Sequence, residues 1–280
     1  MILAMNRHPI VGASLATPDL ATPAGADQRR PYGFAWKGFL AATLAQLLST
    51  LLFSRLHLIP LHLDFNPGIV LTPLAGVLFG AIGVWSALAA SLAADWLLGT
   101  LGAVSLFQAV GLATFAWTAW RLWDAAPEPE ASWGRAVFFV MVCVPGALAA
   151  AAWRALGSEL LGFYPYAYIV GVAAAHHLVF CVLLGPPLLM AALRFEQPRP
   201  APTSLRRAGL IAGGAVAAVL AGVGISRSVY GIGPFEPFVI GLRAGRWVPA
   251  VVIPLLLLNL VALARADRFR IARKRASYDL

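Results

Sequence analysis

Charged residues are scarce in this sequence. Only 12% of its 280 residues are Asp, Glu, Lys or Arg, whereas 60% are apolar. A soluble globular chain carries about 25% charged and roughly 45–50% apolar residues, so this composition argues against a soluble protein. Runs of about 20 apolar residues recur along most of the length, and each is long enough to cross a bilayer. Because these runs are continuous and do not alternate in period two, they predict an all-α, polytopic transmembrane bundle and argue against a β-barrel.

Cysteines are few, and familiar catalytic motifs are absent. The two cysteines, Cys143 and Cys181, lie in apolar runs and form no CxxC pair, so both are predicted to be small buried hydrophobic residues. The sequence contains no GxSxG, no S-x-x-K and no phosphate-binding P-loop. We therefore predict that the chain is not an enzyme, that it uses no cofactor, and that it cannot hydrolyse ATP alone.

Eight apolar segments predict about eight membrane spans. The second and third are short and joined by GAIG, so they form either a tight hairpin or a partly re-entrant pair. The sixth contains GPP at 185–187, where two prolines should kink or end the helix. The segments cover approximately residues 37–56, 67–82, 84–99, 104–123, 135–155, 164–193, 207–226 and 247–265.

The basic residues predict the orientation of these spans. A net charge of +9 could indicate a nucleic-acid partner, but the sequence has no nucleic-acid-binding signature and its charges fall in loops and tails. With the N-terminus inside, sixteen of the 21 Lys and Arg residues fall on the cytoplasmic side and five on the outer side. The positive-inside rule favours this arrangement, so both termini are predicted to be cytoplasmic and no nucleic acid is expected.

Three regions follow from this topology. Residues 1–36 are rich in Ala, Pro, Thr and Gly, which predicts a disordered cytoplasmic N-terminal arm. Residues 37–265 are the predicted transmembrane helical domain, and residues 266–280 a basic cytoplasmic tail. The tail either anchors the topology or binds anionic membrane lipids. The predicted location is a bacterial cytoplasmic (inner) membrane, crossed several times.

Ionisable and aromatic residues collect on the predicted outer side. Asp95 lies in the third apolar segment, where a charge needs a partner, a water-filled cavity or a function. The nearby loops carry further polar and aromatic groups, which form either an aromatic belt with ordinary loop charges or a ligand pocket. These loop residues are His57, His62, Asp64, Asn66, Glu159, Tyr164, Tyr166, Tyr168, Arg227, Glu236, Arg243 and Arg246.

Two adjacent histidines, His176 and His177, lie near mid-membrane in the sixth segment. Neighbouring helical residues point about 100° apart, so both cannot face one ligand squarely. The sequence has no HxxxH or HExxH pattern, and no metal site is predicted. Either one histidine bonds a neighbouring helix while the other packs, or one lines a substrate or proton path with Asp95. Other mid-span polar residues should tie helices together by hydrogen bonds, namely Gln46, Gln108 and Asn259.

Three stretches within residues 37–123 carry a family resemblance: AATLAQ with Ala41 and Ala45, LTPLAGVLFGAIGVWSALAASLAADWLLG, and GAVSLFQAVGLATFAWTAWRLW. This resemblance is to the membrane-embedded S components of energy-coupling factor (ECF) importers. It implies a six-span core with two further spans, and docking of a coupling subunit against Ala41 and Ala45. NPGIVLTPLAGVLFG is also similar to the opening of MASE1-type membrane sensor domains.

The predicted function is a substrate-binding subunit for uptake of a vitamin- or micronutrient-like small molecule. Partner ATPases and a coupling membrane subunit would supply the energy. The alternatives are a MASE1-like sensory or structural membrane module, and a lipid-acting enzyme, which would need carboxylates or histidines that meet in space. The residues expected at the substrate are Asp95, Asn66 and one of His176 and His177 as polar contacts, with Trp96, Tyr164 and Tyr166 as apolar walls.

Overall fold

The computed structural model describes residues 32–54, 57–59, 63–125, 132–192, 204–230 and 247–276. These residues form nine α-helices and one short antiparallel strand pair, β1 (His57–Ile59) with β2 (Leu63–Asp64). One turn of 3-10 helix at Pro67–Val70 leads directly into the second helix. The helices are α1 (Tyr32–Phe53), α2 (Leu71–Phe79), α3 (Ala81–Leu97), α4 (Ala103–Trp123), α5 (Ser132–Leu160), α6 (Tyr166–Leu183), α7 (Gly185–Ala192), α8 (Leu205–Tyr230) and α9 (Trp247–Ala276).

Six helices of the described part, α1, α4, α5, α6, α8 and α9, are long and apolar enough to cross a membrane. They indicate a multi-pass membrane protein and confirm the helical class. The predicted count of eight spans is not confirmed, because the second and third apolar segments form the shorter helices Pro67–Phe79 and Ala81–Leu97. The break predicted at GPP is confirmed, since α6 ends at Leu183 and α7 begins at Gly185.

The predicted region boundaries differ from the helix ends. The first 31 residues of the predicted N-terminal arm lie outside the described residues, and α1 already begins at Tyr32. At the other end, α9 continues to Ala276, through most of the predicted basic tail. Both cysteines, Cys143 and Cys181, are buried and free, as predicted.

Glycines allow α2 and α3 to form a tight hairpin against α4. Gly80 joins the two helices at φ 59° and ψ −129°, a backbone conformation that L side chains rarely adopt. A Cβ on Gly83 would collide with the Ala75 carbonyl, and one on Gly76 with the Ala116 carbonyl. The hairpin therefore packs backbone to backbone, which fixes the position of α3 beside α4.

Gly83→Ala should destabilise the bundle, because the added methyl group has no space beside the Ala75 carbonyl. Overpacking of this kind costs about 1–3 kcal/mol, which should appear as a lower unfolding temperature in detergent. The matched control is Gly213→Ala on α8, where nothing lies within 4 Å of an added Cβ. Equal unfolding temperatures for the two variants would contradict the close approach of α2 and α3.

Candidate functional site

A cavity of about 740 Å³ lies between α1, the 3-10 turn and α3 to α6. It is near the end of the bundle at which α1, α3 and α5 finish and α4 and α6 begin. Its volume falls within the range of roughly 300–1,000 Å³ that is typical of small-molecule sites. We call it the polar cavity, because thirteen of the 21 residues that line it have polar side chains: Gln46, Thr50, Ser54, Asn66, Thr72, Ser91, Asp95, Thr100, Ser105, Gln108, Arg154, His176 and His177.

Asn66 connects three elements around the polar cavity. Its Oδ1 accepts hydrogen bonds from the Ser49 hydroxyl at 3.3 Å and the Gly68 N–H at 2.9 Å. Its Nδ2 donates to Thr50 Oγ1 at 3.1 Å, and its backbone N–H donates to His176 Nε2 at 3.2 Å. Asn66 thus caps the 3-10 turn and ties that turn to α1 and α6. Asn66 was predicted to contact substrate, but both its side-chain oxygen and its side-chain nitrogen form hydrogen bonds within the cavity wall.

Several other polar lining residues are also occupied by internal hydrogen bonds. Gln46 donates to the Ser86 hydroxyl at 3.5 Å and accepts from Thr72 Oγ1 at 3.3 Å, which ties α1 to α2 and α3, as predicted for a mid-span glutamine. Ser105 accepts from the Gly102 N–H at 3.1 Å and its hydroxyl donates to the Thr100 carbonyl at 3.4 Å, at the start of α4. These groups shape the cavity and are not available in full to a ligand.

Three polar side chains of the lining have unused hydrogen-bonding capacity. The Ser91 hydroxyl and His177 Nδ1 are buried atoms with no hydrogen-bond partner among the described residues. The Gln108 amide, predicted to tie helices together, makes no hydrogen bond within that part of the chain. The buried Ser91 and His177 atoms are therefore candidate ligand contacts, and the half-buried Gln108 amide borders the same space.

Two opposite charges complete the lining. Asp95 from α3 and Arg154 from α5 both border the polar cavity and are half-buried. Asp95 and Ser91 are four residues apart on α3, so both lie on one face of that helix. Both charged residues also take part in interactions within the protein. Arg154 was counted with the outer loops in the sequence, but α5 continues to Leu160 and places it in the helical wall.

The histidine pair borders the polar cavity from α6. Both rings are at least nine-tenths buried, with 9% exposure for His176 and 3% for His177, and their centroids are 5.7 Å apart. His176 accepts the Asn66 hydrogen bond through Nε2, so that nitrogen carries no proton. His177 lies against the Phe115 ring, with centroids 5.7 Å apart. His176 thus braces the wall through Nε2, while its Nδ1, like that of His177, makes no hydrogen bond within the described part of the chain.

The three predicted aromatic walls do not border the polar cavity. Trp96 is 68% exposed, because it follows Asp95 on α3 and points to a different side of that helix. Tyr166 is fully buried, and its hydroxyl donates to the Ala218 carbonyl of α8 at 3.3 Å. Tyr164 stacks on Tyr168, with ring centroids 6.2 Å apart. The aromatic ring that does line the cavity is Phe163, which the sequence did not single out.

The remaining predicted outer-side groups are either structural or lie outside the described residues. Glu159 accepts a 2.6 Å hydrogen bond from the Tyr166 N–H and so caps the start of α6. The described side chains contain no group of three His, Cys, Asp or Glu that could hold a metal ion. The following predicted side chains lie outside the described part of the chain: His57, His62, Asp64, Glu236, Arg243 and Arg246.

Ala41 and Ala45, the predicted docking residues, lie on an exposed face of α1. They border a small apolar groove of about 220 Å³, which we call the α1 groove. Only 17% of the membrane-crossing part of α1 is buried within the chain, compared with 67% for α5. Ala42 of α1 also borders this groove. The α1 groove is completed by α2 and α7 through Leu71, Leu74, Ala75, Leu78, Phe79, Leu188 and Ala192.

Comparison with known proteins adds no further constraint. No family model matches the chain, and no match was found to a curated protein or a solved structure. A functional assignment therefore depends on the geometry and chemistry of the polar cavity.

Proposed function

We propose that this chain is a membrane subunit that binds a small molecule in the polar cavity for its uptake. The observation that carries the proposal is the cavity: about 740 Å³ of space, lined by thirteen residues with polar side chains, inside a bundle of apolar helices. Polar and charged side chains are costly among lipids and concentrate where they line a substrate path or an aqueous cavity. Within this lining, the buried Ser91 hydroxyl and His177 Nδ1 make no hydrogen bond to the described residues, and the Gln108 amide borders the same space, which supports contact with a ligand.

In this proposal, the end of the bundle that holds the cavity faces outwards. The proposed topology has both termini in the cytoplasm of a bacterial inner membrane. Leu98 and Thr100, where α3 passes into α4, border the cavity and are exposed, so ligand would enter at this turn. Asp95 and His177 would contact the ligand, while Asn66 and His176 would hold the wall.

The energy for uptake would come from other proteins, as it does in ECF importers. The sequence has no P-loop, so partner ATPases and a coupling membrane subunit are proposed. A helix of the coupling subunit would dock in the α1 groove, where Ala41 and Ala45 allow close backbone approach. The sparse burial of α1 within the chain supports this placement.

The proposal predicts that a small molecule co-purifies with the protein from its native membranes. Mass spectrometry of the extracted protein should detect that molecule with the wild type. Ala90→Leu should reduce its amount at least tenfold, because Ala90 is 3% exposed and borders the cavity, which the larger side chain would partly fill. Ala81→Leu is the matched control on the same helix, since Ala81 is exposed and does not border the cavity.

Two results would count against this function. Equal amounts of the molecule with Ala90→Leu and with wild type would place its site elsewhere. Binding without uptake, in cells that contain the partner subunits, would favour the MASE1-like sensory module over a transport subunit.

A further inference from the structure

The last helix, α9, continues beyond the part of it that can cross a membrane. The apolar, membrane-crossing part covers Trp247–Ala264, whereas the helix ends at Ala276. At about 1.5 Å per residue, the crossing part is about 27 Å long and the remainder about 18 Å. The first length is close to that of a hydrocarbon core, which is about 30 Å thick, so α9 leaves the core near residue 265. We call residues 265–276 the α9 extension.

The α9 extension is strongly basic. Its one acidic residue is Asp267, and its six basic residues are Arg265, Arg268, Arg270, Arg273, Lys274 and Arg275. Clusters of about four to eight Lys and Arg residues directly after a membrane span attract anionic lipids. Because the α9 extension is a continuous helix, the height of these residues above the hydrocarbon core increases regularly along the sequence.

The start of α8 brings a further basic residue to the same level. Asn259 Nδ2 of α9 donates to the Ile211 carbonyl of α8 at 2.7 Å. Later on α8, a Cβ on Gly222 would meet Val252, which comes earlier on α9. The two helices are therefore antiparallel, and this pairing places Arg206 level with the start of the α9 extension. Arg206 is exposed.

The α9 extension lies at the opposite end of the bundle from the polar cavity. The Ala167 N–H, near the start of α6, donates to Ser226 Oγ near the end of α8 at 3.4 Å. The cavity end is therefore level with the end of α8, whereas the α9 extension is level with its start. A ligand of the α9 extension is thus independent of the function proposed above.

The heights divide the basic residues of the α9 extension into two sets. The headgroup layer on each side of the hydrocarbon core is roughly 5–8 Å thick. At about 1.5 Å per residue, the helix rises about 8 Å from residue 265 to 270, and about 12–15 Å from residue 265 to 273–275. A typical tilt of about 20° shortens these heights by only about 6%. The proximal set, within the headgroup layer, is Arg265, Arg268 and Arg270, and the distal set, beyond it, is Arg273, Lys274 and Arg275.

We propose that the proximal set, together with Arg206, binds the headgroups of anionic phospholipids. All four residues are arginines, whose guanidinium groups donate charge-assisted hydrogen bonds to phosphate oxygens. Attraction between charges fades over about 8 Å at physiological ionic strength, so headgroup phosphates attract the proximal set most strongly. An acidic protein in the aqueous phase would contact the distal set first. The position of Arg206 beside the proximal set favours a lipid over such a protein.

The test is native mass spectrometry of the delipidated full chain in detergent. The chain is titrated with dioleoyl phosphatidylglycerol or dioleoyl phosphatidylcholine, which share their acyl chains and differ in headgroup charge. Each basic residue at an anionic surface strengthens the attraction roughly fivefold, so wild type should bind phosphatidylglycerol at least tenfold more tightly. Soluble glycerol 3-phosphate at the same concentration should not compete, because it lacks the acyl chains that hold a lipid beside the helices.

Two triple variants remove the same charge at different heights. The proximal variant should lower the preference for phosphatidylglycerol to less than threefold, and it combines Arg265→Gln, Arg268→Gln and Arg270→Gln. The matched control should retain at least half of the wild-type preference, and it combines Arg273→Gln, Lys274→Gln and Arg275→Gln. If a triple variant does not accumulate in membranes, Arg265→Gln and Arg273→Gln give the same comparison, with at least a twofold loss expected only for Arg265→Gln.

Four results would overturn the proposal. Equal affinity of wild type for the two lipids would show that headgroup charge is not recognised. Equal loss in both variants would show that the number of charges matters and their height does not. A larger loss in the distal variant would favour an acidic partner in the aqueous phase. Competition by glycerol 3-phosphate would assign the site to free phosphate esters.

Discussion

Asp95→Ala should abolish ligand binding and leave the helical bundle folded. Asp95 is half-buried at the polar cavity, one helical turn along α3 from the buried Ser91 hydroxyl. Truncating one partner of a buried, hydrogen-bonded charge pair costs about 2–5 kcal/mol of binding free energy. That range corresponds to a roughly 30- to 4,000-fold increase in Kd, which isothermal titration with the co-purifying molecule would measure.

The adjacent Trp96 provides the control for this experiment. It is 68% exposed and does not border the cavity, so Trp96→Ala should bind ligand like wild type. The unfolding temperature of both variants without ligand shows whether the bundle remains folded. Normal binding by folded Asp95→Ala would remove the carboxylate from the site and leave the cavity without its proposed anionic contact.

A second large effect is expected at the α1 groove. The double substitution Ala41→Leu with Ala45→Leu should abolish uptake while ligand binding to the isolated chain stays within twofold of wild type. Leucine at these two positions fills a groove of only about 220 Å³ and keeps a partner helix at a distance. Two measurements are needed. The first is uptake of the radiolabelled co-purifying molecule into cells, and the second is its binding to the purified protein.

Ala250→Leu is the corresponding control for the double substitution. Ala250 is an exposed alanine on α9 and does not border the α1 groove, so uptake should be unchanged. If the double variant still takes up the molecule at the wild-type rate, α1 is not the docking surface. If binding is lost together with uptake, the substitutions have disturbed the neighbouring cavity and docking at α1 is contradicted.

Hydrophobic run lengths predicted the helices well, because continuous apolar segments have few alternatives in a membrane. The break after α6 followed from GPP, since proline lacks the N–H that continues a helix. The span count was less accurate. Whether an apolar segment crosses the membrane depends on its helical length, and α2 has only nine residues.

The sequence also identified part of the candidate site. Asp95 and His177 stood out because ionisable groups are rare in apolar segments. Ser91 and Arg154 did not, because a single serine carries no pattern and Arg154, one residue before the predicted end of the fifth segment at 155, was counted as an outer-side basic residue. Trp96 and Tyr166 were expected at the cavity, but the rotation of α3 and the packing of α6 against α8 turn them away. Rotation and packing of this kind are set by tertiary contacts between helices that are distant in sequence.

A small molecule is proposed to occupy the space between α3, α4, α5 and α6. A cryo-EM map of the protein, purified from its native membranes in complex with a rigid binding fragment, would show whether that space is filled. We predict non-protein density within hydrogen-bonding distance of Ser91, Gln108 and His177, and no such density for Asp95→Ala. A map in which these side chains close on one another, with only water or no space between them, would contradict the claim.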